Sequence, residues 1–260
     1  MLLATWNVNS IRARLPRLLA WLERRRPDVV CLQETKVVDE DFPTAEIQAL
    51  GYHCRAFGQK TYNGVAILSR EEPRDVRLGL PDDPADADRR VVAATVAGVR
   101  VIGVYVPNGT ALDDPRYDGK LAWYSRLRRY LEATASPRQE LVVCGDFNVA
   151  PEDRDVWDVE RWRDQLLFTE AEKEAFRHLM GWGLEDTLRR LQPEAQVFTW
   201  WDYRNAAFYR GWGLRIDHVL ATPSLAARCT AVEVDTAERK GEKPSDHAPV
   251  LAWFDPPNLG

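Results

Sequence analysis

Cysteine is scarce in this chain: four among 260 residues, at positions 31, 54, 144 and 229, with no C-x-x-C spacing. That excludes a disulfide scaffold and a Cys/His zinc cluster. Cys31 and Cys144 lie inside apolar runs and read as small buried hydrophobes, in keeping with a reducing, cytoplasmic setting. Long hydrophobic runs are missing too. No stretch of eighteen apolar residues occurs, so no membrane-spanning helix and no membrane partner is expected. The opening Met1-Leu2-Leu3-Ala4-Thr5-Trp6 lacks the basic region, apolar length and cleavage site of a signal peptide. Tandem repeats and low-complexity linkers are absent, which leaves a single domain over residues 1–260 as the expectation. Finally, positive charge is not in excess: 35 Lys and Arg stand against 40 Asp and Glu, a net charge of -5. A nucleic-acid partner is therefore not advertised by charge. It would need a local basic rim, for which Arg12, Arg14, Arg17 and Arg204, Arg210, Arg215 are candidates. Arg24-Arg25-Arg26 reads as a solvated helix face, and the acid is concentrated at Asp82, Asp83, Asp86, Asp88 and from Glu152 to Glu174.

What is present is an ordinary globular balance, 45% hydrophobic and 29% charged, enough for one large core. Apolar strand-like runs cover Leu2–Trp6, Val29–Leu32, Gly64–Ser69, Arg90–Val96, Arg100–Val106, Leu141–Cys144, Val197–Trp201, Leu214–Leu220 and Pro249–Phe254. Between the first two, Leu15, Leu18, Leu19 and Leu22 fall at helical spacing; Asn9 or Ser10 can cap this helix, Pro16 suits its first turn and Pro27 closes it. A second helical pattern, Leu121, Tyr124, Leu127 and Leu131, runs from Lys120 to about Ala135, and Thr169 with Glu172 forms a capping box for a third helix ending near Gly181. A strand-helix-strand-strand order occurs once in each half. It predicts two sheets packed face to face with helices outside, an α/β sandwich.

The chemistry sits where the strands stop. Between Pro244 and Pro249, an acid and a histidine, Asp246 and His247, stand at the lip of an apolar strand. The competing reading is a turn aspartate beside a surface histidine. The same layout recurs, however: other apolar runs deliver Asn7 and Asn9, Glu34, Tyr105 and Asn108, Asp146 and Asn148, and Asp217. Four of these ten groups are carboxylates, and two unit charges about 4 Å apart repel by roughly 4 kcal/mol at an effective dielectric near 20. Converging carboxylates therefore need a cation, a shared proton or a phosphate-bound metal. Oxygen and amide ligands select Mg²⁺, Mn²⁺ or Ca²⁺. The remaining groups suit a phosphate ester: Asn and Tyr as neutral donors, His as donor or base, Asp to activate water.

Eight stretches now carry a resemblance from one end of the chain to the other: TWNVNSIRAR at 5–14, PDVVCLQETK at 27–36, GVAILS at 64–69, VYVPNG at 104–109, VVCGDFNVAP at 142–151, TWWDYR at 199–204, LRIDHVLA at 214–221 and KPSDHAPV at 243–250. In these the chain resembles the exonuclease III-type AP endonucleases of the endonuclease/exonuclease/phosphatase superfamily. The resemblance implies a DNase I-like four-layered α/β sandwich of two mixed β-sheets flanked by helices. It also implies a monomer that hydrolyses phosphodiesters with Mg²⁺ (or Mn²⁺), cutting double-stranded DNA 5′ to abasic sites and trimming 3′ ends. Glu34 resembles the principal metal ligand, in a set drawn from Asn7, Glu34, Asp146, Asn148, Asp246 and His247. Tyr105, Asp146, Asn148, Asp217 and His247 match the catalytic groups, with Asp217 orienting His247 and Asn148 stabilising the transition state. Asn9, Asn108, Trp200, Arg204 and His247 match substrate-binding positions, Trp200 lying where an aromatic packs against an abasic sugar. Asn9 stands where some relatives have a metal-binding aspartate, and the aromatic loop Phe208-Tyr209-Arg210-Gly211-Trp212 has no counterpart.

Two other readings are distinguishable by experiment. A phosphodiesterase or phosphatase for lipids, inositol phosphates or RNA would ignore an abasic site. A binding module that had lost catalysis would grip DNA without cutting it, although the intact set of polar residues argues against such decay.

Overall fold

Strands that are apolar at every position can be buried on both faces only if other layers cover them, and that requirement shapes this chain. The computed structural model describes residues 1–85 and 87–256, so Asp86 of the acidic cluster lies outside the described residues. The strands are β1 (Leu2–Asn7), β2 (Val29–Gln33), β3 (His53–Phe57), β4 (Val65–Ser69), β5 (Arg74–Leu78), β6 (Val91–Val96), β7 (Val99–Tyr105), β8 (Leu141–Asp146), β9 (Glu185–Asp186), β10 (Trp200–Trp201), β11 (Gly213–Leu214), β12 (Asp217–Ala221), β13 (Cys229–Val234) and β14 (Val250–Phe254). The helices are α1 (Ile11–Arg25), α2 (Thr44–Gln48), α3 (Pro115–Thr134), α4 (Val159–Trp162), α5 (Glu170–Met180), α6 (Thr187–Leu191), α7 (Ala207–Arg210) and α8 (Pro223–Ala226).

Two six-stranded mixed sheets form, in the orders β13-β14-β1-β2-β4-β3 and β5-β6-β7-β8-β12-β9. Alternate residues of each strand face opposite ways. Leu3, Val29, Cys31 and Ile67 meet Val92, Val101, Cys144 and Val219 between the sheets. The other face of the first sheet, with Trp6, Val30, Leu32 and Leu68, packs on Leu18, Trp21 and Leu22 of α1. The other face of the second, with Ile102, Val104 and Val143, packs on Trp123, Tyr124, Leu127 and Leu131 of α3 and Phe176 of α5. The four layers are those of the expected sandwich. No helix among the described residues is long and apolar enough to cross a membrane.

Each sheet holds one parallel crossover, β1-α1-β2 and β7-α3-β8, and these place the polar ends together. Asn7 pairs with Gln33 at the last rung of the first crossover, and Tyr105 pairs with Asp146 at the last rung of the second. The antiparallel neighbours then start where these strands finish: Asp217 opens β12 opposite Asp146, and Val250 opens β14 opposite Thr5.

The structure corrects several boundaries. Ser10 is the cap of α1, its hydroxyl accepting from the Ala13 amide at 3.4 Å, so Pro16 is the sixth residue of the helix and not in its first turn. Ile11, Leu18, Trp21 and Leu22 are the buried stripe, while Leu15 and Leu19 flank it. Four such side chains contribute about 1.5–3 kcal/mol each, more than the ~3 kcal/mol that an interior proline costs. The second helix begins at Pro115, not Lys120, because Asp114 caps it and proline fits the first helical position. Of the 197–201 run only Trp200 and Trp201 pair as a strand, and the 214–220 run is broken at Arg215-Ile216. There the ladder bonds are replaced: the Arg215 amide donates to Asp155 O at 2.8 Å, and the Ile216 and Asp217 amides donate to the Thr199 hydroxyl.

Candidate active site

The turns that follow the strands are sharp. Asn9, Glu34, Lys36 and Asn148 all have left-handed φ, 44°, 52°, 57° and 49°, a conformation that costs a non-glycine residue about 1–2 kcal/mol. Four such residues around one crevice mark a place where geometry is held against local preference. Before Asp146 the chain must be glycine. Gly145 has φ 151°, and a Cβ there would sit 1.9 Å from the carbonyl oxygen of Val104 on the neighbouring strand.

Asn7 is the hinge between the sheets. Its amide nitrogen donates to Glu34 Oε1 at 2.8 Å and to Asp146 Oδ2 at 2.9 Å, joining a carboxylate from each sheet. The turn carrying Asp246 and His247 is fixed through its backbone. Ser245 Oγ donates to Asn7 O at 2.6 Å, the Trp6 indole donates to His247 O at 3.2 Å, and the Trp201 amide donates to Asp246 O at 3.0 Å. The imidazole of His247 is thereby held with Nδ1 2.8 Å from Asp217 Oδ2 and Nε2 3.7 Å from Asp146 Oδ2.

Charge is unevenly distributed here. Burial pushes Asp146 up to about 7, with Asp217 and Glu34 adding to the rise and His247 and the Asn7 amide opposing it. Burial alone would depress His247, but Asp217 and Asp146 on either side raise it to about 10. The imidazole therefore carries its proton at neutral pH and presents Nε2–H to the crevice. Tyr105 is held well above its ordinary value by burial and by Glu34 and Asp146, so it is a neutral phenol. The guanidinium of Arg90 lies over its ring, 4.8 Å from the centroid.

Around this centre, Asn148 is fixed at every group: its amide nitrogen donates to Val106 O at 2.9 Å, its oxygen accepts from Asn108 Nδ2 at 3.1 Å, and its backbone N–H donates to Asp146 Oδ1 at 2.9 Å. Asp246 stands to one side, its two oxygens taken by Asn9 Nδ2 and the Trp200 indole, each at 3.0 Å. Burial would raise Asp246, yet His247 and these two donors hold it below the usual carboxylate range. Lys36 Nζ reaches both Glu34 Oε2 at 2.9 Å and Asn9 Oδ1 at 2.6 Å.

Nine of the expected groups thus form one network: Asn7, Asn9, Glu34, Asn108, Asp146, Asn148, Asp217, Asp246 and His247. Trp200 joins through Asp246, and Tyr105 through its position beside Glu34 and Asp146. Arg204 does not join. It is an exposed side chain forked onto Asp202, lining a cavity of about 260 Å³ together with Trp157, Trp162, Trp200 and Trp212. The basic rim is also not as expected: Arg215 is fully buried, Arg17 is bound to Glu238 at 2.9 Å, and Arg12 is bound to Asp41 at 2.7 Å. Arg14 alone of the first cluster turns to the site's margin, donating to Tyr203 OH at 2.7 Å. Two groups at the site were missed from the sequence, Lys36 and Arg90. The spacing of Lys36 two residues beyond Glu34, on the same turn, was an available signal.

The carboxylates of Glu34 and Asp146 fit a divalent cation, while His247, expected among the ligands, carries protons on both ring nitrogens and has no lone pair to add. One ligand atom from each of Glu34, Asp146 and His247 lies within 4.8 Å of the other two, and no other trio of His, Cys, Asp and Glu among the described residues does this. Glu34 and Asp146 offer hard oxygens to such an ion. Asp246 is not in that trio, its oxygens being committed to Asn9 and Trp200.

Known proteins share this fold and much of this sequence. The sequence model described as "Endonuclease/Exonuclease/phosphatase family" matches residues 4–247. An exodeoxyribonuclease III of Haemophilus influenzae is 38% identical over 262 residues, with 96% of this chain and 98% of that one aligned. An AP endonuclease from Archaeoglobus fulgidus superposes with a TM-score of 0.95 at 44% identity, covering 98% of this chain and 99% of that one. The 3′ phosphatase NExo from Neisseria, solved with a product DNA hairpin, superposes with a TM-score of 0.94 at 48% identity, covering 98% and 99% of the two chains.

Proposed function

The chain belongs to the endonuclease/exonuclease/phosphatase family, in its exonuclease III/AP endonuclease branch, and from that premise we propose that it is a divalent-cation-dependent DNA-repair phosphodiesterase. Its reactions are cleavage of duplex DNA 5′ to an abasic site and removal of 3′ nucleotides or 3′ blocking groups, each leaving a 3′-hydroxyl. The observation that carries the reading is the bridge from Asn7 to Glu34 and Asp146, with His247 at 3.7 Å from Asp146 and seated on Asp217.

Glu34 and Asp146 would hold a Mg²⁺ or Mn²⁺ ion, which would supply neutralisation of charge on the phosphate. The protein groups do the rest. His247, kept as imidazolium by Asp217, donates from Nε2 to a phosphate oxygen. Tyr105 and the free N–H of the Asn148 amide are neutral donors to the other oxygens. Asp146 accepts a proton from the water that attacks phosphorus, the bond from phosphorus to the 3′-oxygen breaks, and the leaving oxygen takes up a proton from water to become the 3′-hydroxyl. Asn148 cannot swing away, because both ends of its amide are already tied. Trp200 presents half-buried indole to the DNA while its N–H fixes Asp246.

The test is cleavage of an abasic-site duplex and of a 3′-phosphate hairpin, with Mg²⁺ and with chelator, beside an inositol phosphate and an RNA duplex. Expected is Mg²⁺-dependent product from both DNA substrates. Turnover of the inositol phosphate or RNA with both DNA substrates untouched would overturn the assignment.

A further inference from the structure

Among the described residues, the most thoroughly buried ion pair lies outside the cluster of Glu34, Asp146 and His247. Lys120, in the second turn of α3, and Glu172, in the first turn of α5, have side chains with no exposure at all. An ammonium has three protons, and here each has a destination: Glu172 Oε1, the carbonyl of Asn148 at 2.6 Å and the carbonyl of Asn108 at 3.1 Å. Glu172 is equally committed, accepting from the Leu167 amide, the Thr169 amide and the Thr169 hydroxyl at 2.8–3.0 Å. The lysine stem passes beneath Gly109, where a Cβ would come within 3.2 Å of its Cδ. Burial pulls Lys120 below its ordinary value and Glu172 draws it back, so the carboxylate is what keeps a charged donor in place.

A buried pair of this kind is weak evidence for stability, since a well-packed apolar pair of equal volume is often as good. What an apolar pair could not do is bind two carbonyls. Those two belong to Asn108 and Asn148, whose side chains are also bonded to each other. We propose that Lys120, held by Glu172, is a positioning residue for hydrolysis, fixing the loops 106–110 and 147–150 so that the two asparagine amides meet the phosphate in register. This rests on the reading of the site given above. A displacement of about 1 Å at such a group can cost on the order of 10²-fold in rate.

The test replaces both charges in the full-length chain, Lys120→Met with Glu172→Gln. The double change leaves no unpaired buried charge and keeps an acceptor for the capping box at Thr169. On a 3′-phosphate hairpin with Mg²⁺, kcat is expected to fall about 10- to 100-fold while KM stays within about threefold. In an Asn148→Ala background the same double change should cost little more, because the group it positions is gone. Hydrogen exchange of the protein without DNA should quicken at 106–110 and 147–150, and thermal stability should fall only by what two orphaned carbonyls cost. Glu172→Gln alone, which preserves shape, should give a smaller kcat loss of the same type. A kcat equal to wild type, a loss that adds in full to that of Asn148→Ala, or unchanged exchange in both loops would each overturn the proposal. If the wild-type protein cut none of the DNA substrates, the function assigned above would fall. The exchange measurement would still decide this one.

Discussion

Two buried charged clusters lie at opposite faces of β12, reached by adjacent residues. Asp217 points to His247 and the site; His218, next in sequence, points to Arg215 and Asp186. Both clusters contain aspartates and a histidine, and in both the histidine and half of the carboxylates are buried. Their balance differs. In the second, Asp155 and Asp186 are matched by Arg189 and Arg215, with Arg215 Nε 2.6 Å from Asp155 and Nη1 2.7 Å from Asp186. Burial would raise Asp186, but Arg215 and His218 outweigh it and hold the carboxyl far below its ordinary range. In the first, among the described residues, Glu34, Asp146, Asp217 and Asp246 receive direct ion pairs from Lys36 and the imidazolium of His247 alone. The balanced cluster clamps the 153–156 turn to the strand and needs nothing more. The unbalanced one has room for a divalent ion and an incentive to bind it. Residue type does not separate structure from chemistry here; the sum of charge does.

Substitutions should therefore act in opposite ways on the two sides. The largest effect is expected from Asp146→Asn and His247→Asn, which should lower kcat by about 10²–10⁴ in a single-turnover assay. Thermal stability should be unchanged or raised in Asp146→Asn, because a repulsive group has been removed, and lowered in His247→Asn, because Asp217 loses its buried partner. Arg215→Met should do the reverse. Leaving Asp186 buried without its arginine, and Asp155 with Arg189 alone, should cost about 3–5 kcal/mol in urea unfolding, with kcat per folded molecule kept. Trp200→Ala comes next, weakening DNA binding by about 1–3 kcal/mol in a fluorescence titration, with a smaller change in the chemical step.

The smallest effect is in pH, and its sign separates the clusters. His247 has its folded value raised from 6.5 to about 10, so its stabilisation is full below 6.5 and is lost as pH rises towards 10. Asp186 is depressed from 3.8, so its stabilisation is full above 3.8 and is lost as pH falls below it. Melting curves of the metal-free protein should show an alkaline decline that His247→Asn removes and an acid decline that Asp186→Asn removes. Loss of the alkaline decline in Asp186→Asn would break the comparison.

The four layers were legible because the inner strands are apolar throughout and stop abruptly at Asn7, Glu34, Tyr105 and Asp146. The edge strands were not. In β5 the residues are mostly exposed, and β13 carries Thr230 and Glu233 to solvent, so neither shows an apolar run. Arg215 reads in sequence like any surface arginine, and only its partners 60 and 29 positions away bury it. Lys120 was read as the polar start of a helix that in fact begins five residues earlier. Its function depends on carbonyls 12 and 28 residues away, which no local spacing reveals. Trp200 and Asp246 were given separate roles, and the bond between them joins those roles.

The central claim is that Glu34 and Asp146, brought from different sheets, share one divalent ion. Mn²⁺ titration followed by electron paramagnetic resonance, without DNA, tests it most directly. One ion per chain should bind to the wild-type protein and to Asp186→Asn, and should be lost in Glu34→Gln and in Asp146→Asn. An ion that binds equally well to Glu34→Gln or Asp146→Asn would contradict the account.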